Sequence, residues 1–310
     1  MKHLSSNNLI GIWCSIQLPI LADNSIDFNS LKEEMDMLTN TSIQGIYSNG
    51  TAAEFYNQTE SEFDGINEMM ADICHKKRFP FQIGASHMSP IISRERIRRT
   101  KALNPKAFQI TLPEWLPLNS DEQLSFLAEV IEEADPIPVV LYSPGHSKTV
   151  LTPSDFKRIS DRFPQLIGIK VGAGGLEWYA EMRKMNGGLA VFVPGHRLAT
   201  GIKEGVAKGS YSNVACINPN AAQKWFEIII DNIDEGIRIE NQILHFFEEG
   251  IVPLARAGYS DAALDKLLWA LSGRSTTSPR LRWPYIGVRD HVVEDTRKIA
   301  QRILPDFFQV

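Results

Sequence analysis

Lys170 closes the run Leu166-Ile167-Gly168-Ile169. A parallel strand covered on both faces would normally carry no charge there. An amine turned into a protein interior loses hydration, which disfavours its charged form. A neutral amine near pH 7 can attack a carbonyl and form a Schiff base. The protonated imine then draws electrons while a carbon–carbon bond breaks or forms. The competing reading is a lysine whose ammonium simply emerges into solvent at the strand end. Tyr142 ends the preceding apolar run. A phenol at that level could shuttle protons at the carbinolamine stage and at a substrate oxygen, or it could be a core tyrosine bonded to a carbonyl. Gly50-Thr51-Ala52-Ala53-Glu54 is a small-residue turn before a helix. Its backbone N–H groups could hold a carboxylate, although an ordinary turn looks the same. Other polar groups follow other apolar runs: His87, Glu114-Trp115, His146 and Gly195-His196-Arg197. Each of these histidines, and Arg197, could equally be a surface residue. The seven histidines show no i, i+4 or HExxH spacing, so no metal site is expected.

These residues need elements to position them. Short apolar runs predict strands over 10–16, 45–48, 81–85, 107–111, 137–142, 166–171, 190–193 and 211–216. Helical patterns lie between them. Phe28, Leu31, Met35 and Leu38 recur on one face of a helix beginning near Asp27. Thr59 to Glu62 reads as a capping box. Thr152-Pro153-Ser154-Asp155 reads as a cap, a first-turn proline and a first-turn acid. Ser120 with Gln123 is expected to cap a fourth helix. Eight strand–helix units predict a (β/α)₈ TIM barrel, in which catalytic groups come from the C-terminal strand ends. The barrel is assigned to residues 1–216. Residues 217–310 form a C-terminal helical extension, packed on the barrel or in an oligomer contact. Its helices are expected over 221–231, 236–247, 260–271 and 292–304, with a loop over 279–284. A doubly wound open sheet is the alternative, but no GxGxxG or P-loop pattern supports it.

Composition excludes several classes. At 310 residues and 43% hydrophobic, the chain can build a full core, so it is not disordered. Its formal charge of -5 lacks the basic excess of a nucleic-acid binder and has no pull toward anionic lipid. No stretch reaches the length of about 20 apolar residues that a membrane helix needs. Leu9 to Leu21 is fairly apolar, but Ser15 and Gln17 interrupt it and no small-x-small cleavage site follows. The three cysteines are far apart, odd in number and without CxxC spacing, which fits a reducing compartment. A soluble cytoplasmic protein is expected, with secretion as the alternative.

In order along the chain stand Gly-Thr-x-x-Glu at Gly50–Glu54, Leu141-Tyr142 with Pro144-Gly145, and Gly168-Ile169-Lys170. Together with Pro19, Asp27-Phe28 and the segment from Val214 to Pro219, this pattern resembles the dihydrodipicolinate synthase / N-acetylneuraminate lyase family of class I aldolases. The resemblance runs from about Gly11 to about Leu271 and implies the same barrel with a helical extension, in a homotetramer or homodimer. It implies no metal and no organic cofactor. Lys170 would form the Schiff base with pyruvate or another small 2-oxo acid. Tyr142 would shuttle protons and Thr51 would relay to it. Gly50, Ala52, Trp115, His146, Gly195 and His196 would contact substrate.

Three departures separate the chain from a true dihydrodipicolinate synthase. Ala52 replaces the second hydroxyl of the turn. Loss of one charge-assisted hydrogen bond costs roughly 1.5–3 kcal/mol unless it is replaced. His146 stands about where the synthases carry an arginine, and neither it nor Lys148 reproduces a bidentate fork. Trp115 replaces a tyrosine that the synthases lend to a neighbouring subunit, and an indole N–H cannot exchange protons as a phenol does. The expected activity is a class I aldolase or lyase acting on a different 2-oxo acid. The alternative is a Schiff-base sugar-acid dehydratase. Dihydrodipicolinate synthase itself and a non-catalytic ligand-binding paralogue are lesser alternatives.

Overall fold

The computed structural model describes residues 3–172, 174–185, 188–274 and 277–308. Eight parallel strands pair in chain order and close into a barrel. They are β1 (Gly11–Ser15), β2 (Gly45–Ser48), β3 (Phe81–Gly84), β4 (Phe108–Thr111), β5 (Val139–Ser143), β6 (Leu166–Val171), β7 (Ala190–Val193) and β8 (Ala207–Tyr211). Helices α1 (Phe28–Leu38), α2 (Glu60–Lys77), α3 (Pro90–Thr100), α4 (Ser120–Ala134), α5 (Pro153–Arg162), α6 (Leu176–Met185) and α7 (Leu198–Lys203) connect them. Beyond β8 come α8 (Val214–Ile217), α9 (Pro219–Asp231), α10 (Ile233–Phe246), α11 (Val252–Arg256), α12 (Asp261–Leu271) and α13 (Asp290–Ile303).

Caps set several helix starts. The Asp27 side chain accepts from the N–H groups of Asn29 and Ser30 at the start of α1. Reciprocal capping boxes at Thr59–Glu62 and Thr152–Asp155 open α2 and α5. The start of α4 differs from expectation. Asn119, not Ser120, is its cap, and Glu122 returns the bond to the Asn119 N–H. Asn and Ser are nearly equal caps, so the acid three residues on decides which one serves.

The eighth strand also differs. The apolar stretch 211–216 is not a strand: Tyr211 ends β8, and the last three residues of the stretch open the short helix α8. The strand itself, Ala-Lys-Gly-Ser-Tyr, contains no apolar run. Lys208 leaves the barrel to donate to the Ser6 carbonyl at 2.9 Å. At Gly209 a Cβ would lie 2.2 Å from the Gly11 carbonyl oxygen, so the close approach of β1 requires glycine.

The core forms two layers. Outward strand residues such as Ile12, Ile46, Ile83 and Leu141 pack under the helices. Trp13, Tyr47, Val140, Phe192 and Tyr211 fill the barrel interior. Gln82 crosses this interior, and its Oε1 accepts from Tyr211 at 2.8 Å and from Gln109 at 3.0 Å. The helices after β8 lie against the barrel, α9 on β1 and α10 on α7.

One buried ion pair ties this later part of the chain to the turn after β2. Lys266 of α12 donates to Glu54 Oε1 at 2.6 Å and to the Arg280 carbonyl at 2.8 Å. Both side chains are almost wholly buried. Glu54 Oε2 also accepts from the Arg282 N–H at 3.0 Å. The Glu54 backbone is left-handed, with φ 47°, a conformation that surrounding contacts must hold. Removing one partner of a buried pair strands the other charge. Lys266→Met should therefore lower the urea-unfolding free energy by about 3–5 kcal/mol, and a loss below about 1 kcal/mol would contradict this role.

Candidate active site

A cavity of about 280 Å³ opens at the C-terminal ends of the strands. Lys170 lies within it, at the end of β6. Its register partner on β5 is Tyr142, and both line the cavity, as the spacing predicts. The Lys170 Nζ sits 4.0 Å from the Tyr142 ring centroid, 4.9 Å from that of Tyr47 and 5.6 Å from that of Tyr211. It donates a hydrogen bond to the Tyr47 hydroxyl at 3.3 Å. No carboxylate among the described residues reaches ion-pair distance of it. Burial lowers the Lys170 pKa from 10.5 to about 8, partly opposed by the charge of Asp265. Roughly a tenth of the amine is then neutral at pH 7, against less than about a thousandth for an ordinary lysine.

Tyr142 and Thr51 face each other, with hydroxyl oxygens 3.4 Å apart. That is long for an O–H···O bond, so in this state the two are neighbours more than tight partners. Burial raises the Tyr142 pKa to about 12, with Thr51 opposing the shift and Asp265 and Asp261 adding to it. Tyr142 is therefore a phenol at neutral pH. In the turn, the N–H groups of Ala53 and Glu54 bond the carbonyls of Gly50 and Thr51. Those of Thr51 and Ala52 have no protein acceptor among the described residues.

The other expected contacts divide into two sets. Thr51, His146 and His196 line the cavity. Gly50, Ala52 and Gly195 are buried behind its wall. A Cβ at Gly50 would lie 2.8 Å from the Tyr47 ring, and one at Gly195 would lie 2.5 Å from Ser212 Oγ. Both glycines thus let lining residues pack closely. Trp115 stands outside the cavity of the single chain and is 70% exposed. His146 is on the rim, with its Nδ1 3.2 Å from Asp261 Oδ2. His196 stacks on Phe247, with ring centroids 4.7 Å apart, and its Nδ1 lies 3.0 Å from Asn213 Nδ2. Burial lowers its pKa to about 4, so it is a neutral ring. With the Asn213 amide N–H turned to Nδ1, the ring proton sits on Nε2.

Sequence reasoning missed Tyr47, Asp261 and Asp265. Tyr47 sits inside an apolar run and reads as core, but two-residue alternation from Gly45 turns it inward. Asp265 lies on a helix whose other positions are nearly all buried. An acid in such a helix was the available signal. Burial raises the Asp265 pKa to about 7, opposed by Lys170. Among the described residues, no group of three or more His, Cys, Asp or Glu side chains is placed to hold a metal ion.

The chain and its barrel match known proteins. The model of the dihydrodipicolinate synthetase family matches residues 8–302, and the chain belongs to that family. In the broad sense it is a lyase. A 4-hydroxy-tetrahydrodipicolinate synthase from Staphylococcus haemolyticus is 23% identical over 244 residues, covering 78% of this chain and 79% of that protein. A protein named probable 5-dehydro-4-deoxyglucarate dehydratase, from a Bradyrhizobium species, is 25% identical over 177 residues, covering 57% of this chain and 55% of its own length. Among solved structures, a prophage protein of the dihydrodipicolinic acid synthase family from E. coli K12, in complex with pyruvate, superimposes with a TM-score of 0.83 at 17% identity, covering 96% of this chain and 99% of that one. An N-acetylneuraminate lyase from Fusobacterium nucleatum gives 0.80 at 18% identity, covering 96% and 99%.

A buried amine with a depressed pKa is directly measurable. After reductive methylation with ¹³C-formaldehyde, the Lys170 dimethylamine signal, assigned by its loss in Lys170→Arg, should titrate near pH 8. Titration together with the surface lysines, near pH 10, would contradict the environment described above.

Proposed function

We propose that the protein is a Schiff-base-forming aldolase or lyase acting on a 4-hydroxy-2-oxo acid, with pyruvate as the half held on the enzyme. The observation that carries this reading is Lys170 Nζ at a barrel strand end, enclosed by three tyrosine rings and out of ion-pair reach of any described carboxylate. Family membership and the pyruvate complex of one structural neighbour support it.

In the cleavage direction the neutral Lys170 amine attacks C2 of the substrate. The carbinolamine loses its hydroxyl as water and leaves a protonated imine. The 4-hydroxyl proton passes to Tyr142, the C3–C4 electrons move to the imine nitrogen, and an aldehyde departs. Protonation of the enamine at C3 and addition of water then release pyruvate and restore the amine. With a pKa near 12 Tyr142 is almost wholly the neutral phenol at pH 7, which is a poor base, so Tyr142 must pass its own proton on as it receives one. The Thr51 hydroxyl, 3.4 Å from that of Tyr142, supports such a relay once the two close to hydrogen-bond distance. The free N–H groups of Thr51 and Ala52 suit the 2-oxo acid carboxylate and would compensate for the missing hydroxyl at Ala52.

The second reading keeps the imine but expels a hydroxyl from the substrate as water. The glucarate-type dehydratase relative favours it, over about half its length. Product analysis separates the two, because a dehydratase releases no aldehyde.

Borohydride added in the presence of pyruvate should leave a reduced adduct on the Lys170 peptide, read by mass spectrometry, and none in Lys170→Ala. Tyr142→Phe should lower kcat by about 10²–10⁴-fold while still trapping pyruvate slowly. The absence of a Lys170 adduct with pyruvate and with other 2-oxo acids would overturn the reading.

A further inference from the structure

The cavity that holds Lys170 has an uneven charge pattern. Asp261 and Asp265, one helical turn apart on α12, both line it. Both act electrostatically on Tyr142, and Asp265 also acts on Lys170. Asp261 is 70% exposed and engages His146 at the rim, so solvent screens much of its charge. Asp265 is half-buried and has neither a hydrogen bond nor an ion pair among the described residues. Among the described residues, no arginine and no lysine other than Lys170 lines this cavity. His196 is neutral and cannot supply a cation. Above its raised pKa of about 7, Asp265 together with Asp261 offers acceptors and negative charge to a substrate in this cavity, and trapping is therefore compared at pH 8.

Resting on the imine reading above, we propose that Asp265, aided by Asp261 at the rim, makes this cavity select against a second negative charge. The substrate is then a 2-oxo acid whose remaining part is uncharged and hydroxylated, neither a dicarboxylate nor a phosphate ester. Hydroxyl groups would donate to Asp265. A second carboxylate would face Asp265 in a partly desolvated site with no cation to meet it, which is unfavourable. This places the chain apart from its glucarate-type relative, whose named substrate carries a carboxylate at each end.

The test compares two acids of equal length, 2-oxoglutarate and 5-hydroxy-2-oxopentanoate. For each, the concentration that gives half-maximal borohydride trapping on Lys170 is measured, in the wild type and in Asp265→Asn. Reading the ratio of the two acids within each protein cancels any general change in Lys170 reactivity. In the wild type, 2-oxoglutarate should need about tenfold more than the hydroxy acid, and Asp265→Asn should bring the ratio to about twofold or less. Equal trapping of the two acids in the wild type, or an unchanged ratio in Asp265→Asn, overturns this inference alone. No trapping of Lys170 by any acid, pyruvate included, overturns the imine reading and this inference with it.

Discussion

The structure depends on holding an amine where water cannot fully solvate it. Lys170 ends β6 among the rings of Tyr47, Tyr142 and Tyr211, and burial makes its charged form costly. Cation–π contacts and the bond to Tyr47 recover part of the lost hydration, but no ion pair does. A carboxylate at salt-bridge distance would hold the amine charged and unreactive. The absence of such a partner, among the described residues, is as important as the groups that are present. Asp265 lies farther off, close enough to raise the amine's pKa somewhat and too far to neutralise it.

Much of the barrel serves to fix these rings. Gln82 receives hydrogen bonds from Tyr211 and Gln109 across the interior. Tyr211 meets Tyr47 edge to face at 5.2 Å, and Tyr47 accepts from Lys170. A polar strut deep in the barrel thus sets the ring that sets the amine. Beside Tyr47, the Thr51 turn that follows β2 is held from outside the barrel. Its last residue, Glu54, is gripped by Lys266 and by the Arg282 backbone. The later helices therefore complete the catalytic face as well as covering the barrel: α12 supplies the lysine that fixes the turn and the aspartates that line the cavity.

Much of this was legible in the sequence, and the failures have physical causes. β2, β6 and β7 fall where apolar runs place them, and Tyr142 and Lys170 meet in register because parallel strands keep equivalent ends level. β8 escaped because its interior position favours Gly209 and its outer end carries Lys208, so no apolar run marks it. Tyr47 was hidden because a tyrosine inside an apolar strand looks like core until the facing side chain is known. Asp261 and Asp265 were hidden because nothing local says that a helix far along the chain folds over the barrel mouth. The side chain of Ala52 and the glycines Gly50 and Gly195 are buried beside the residues that line the cavity, and the Ala52 N–H has no acceptor among the described residues.

The central claim is that Lys170 is the nucleophile and that Tyr142 stands over the bond it forms. A crystal structure of the protein soaked with pyruvate tests both parts at once. The account predicts continuous density from Lys170 Nζ to C2 of the ligand, with the Tyr142 hydroxyl in hydrogen-bond reach and the carboxylate on the Thr51–Ala52 backbone. Pyruvate bound with a clear gap from Lys170, or held by a different part of the chain, would contradict it.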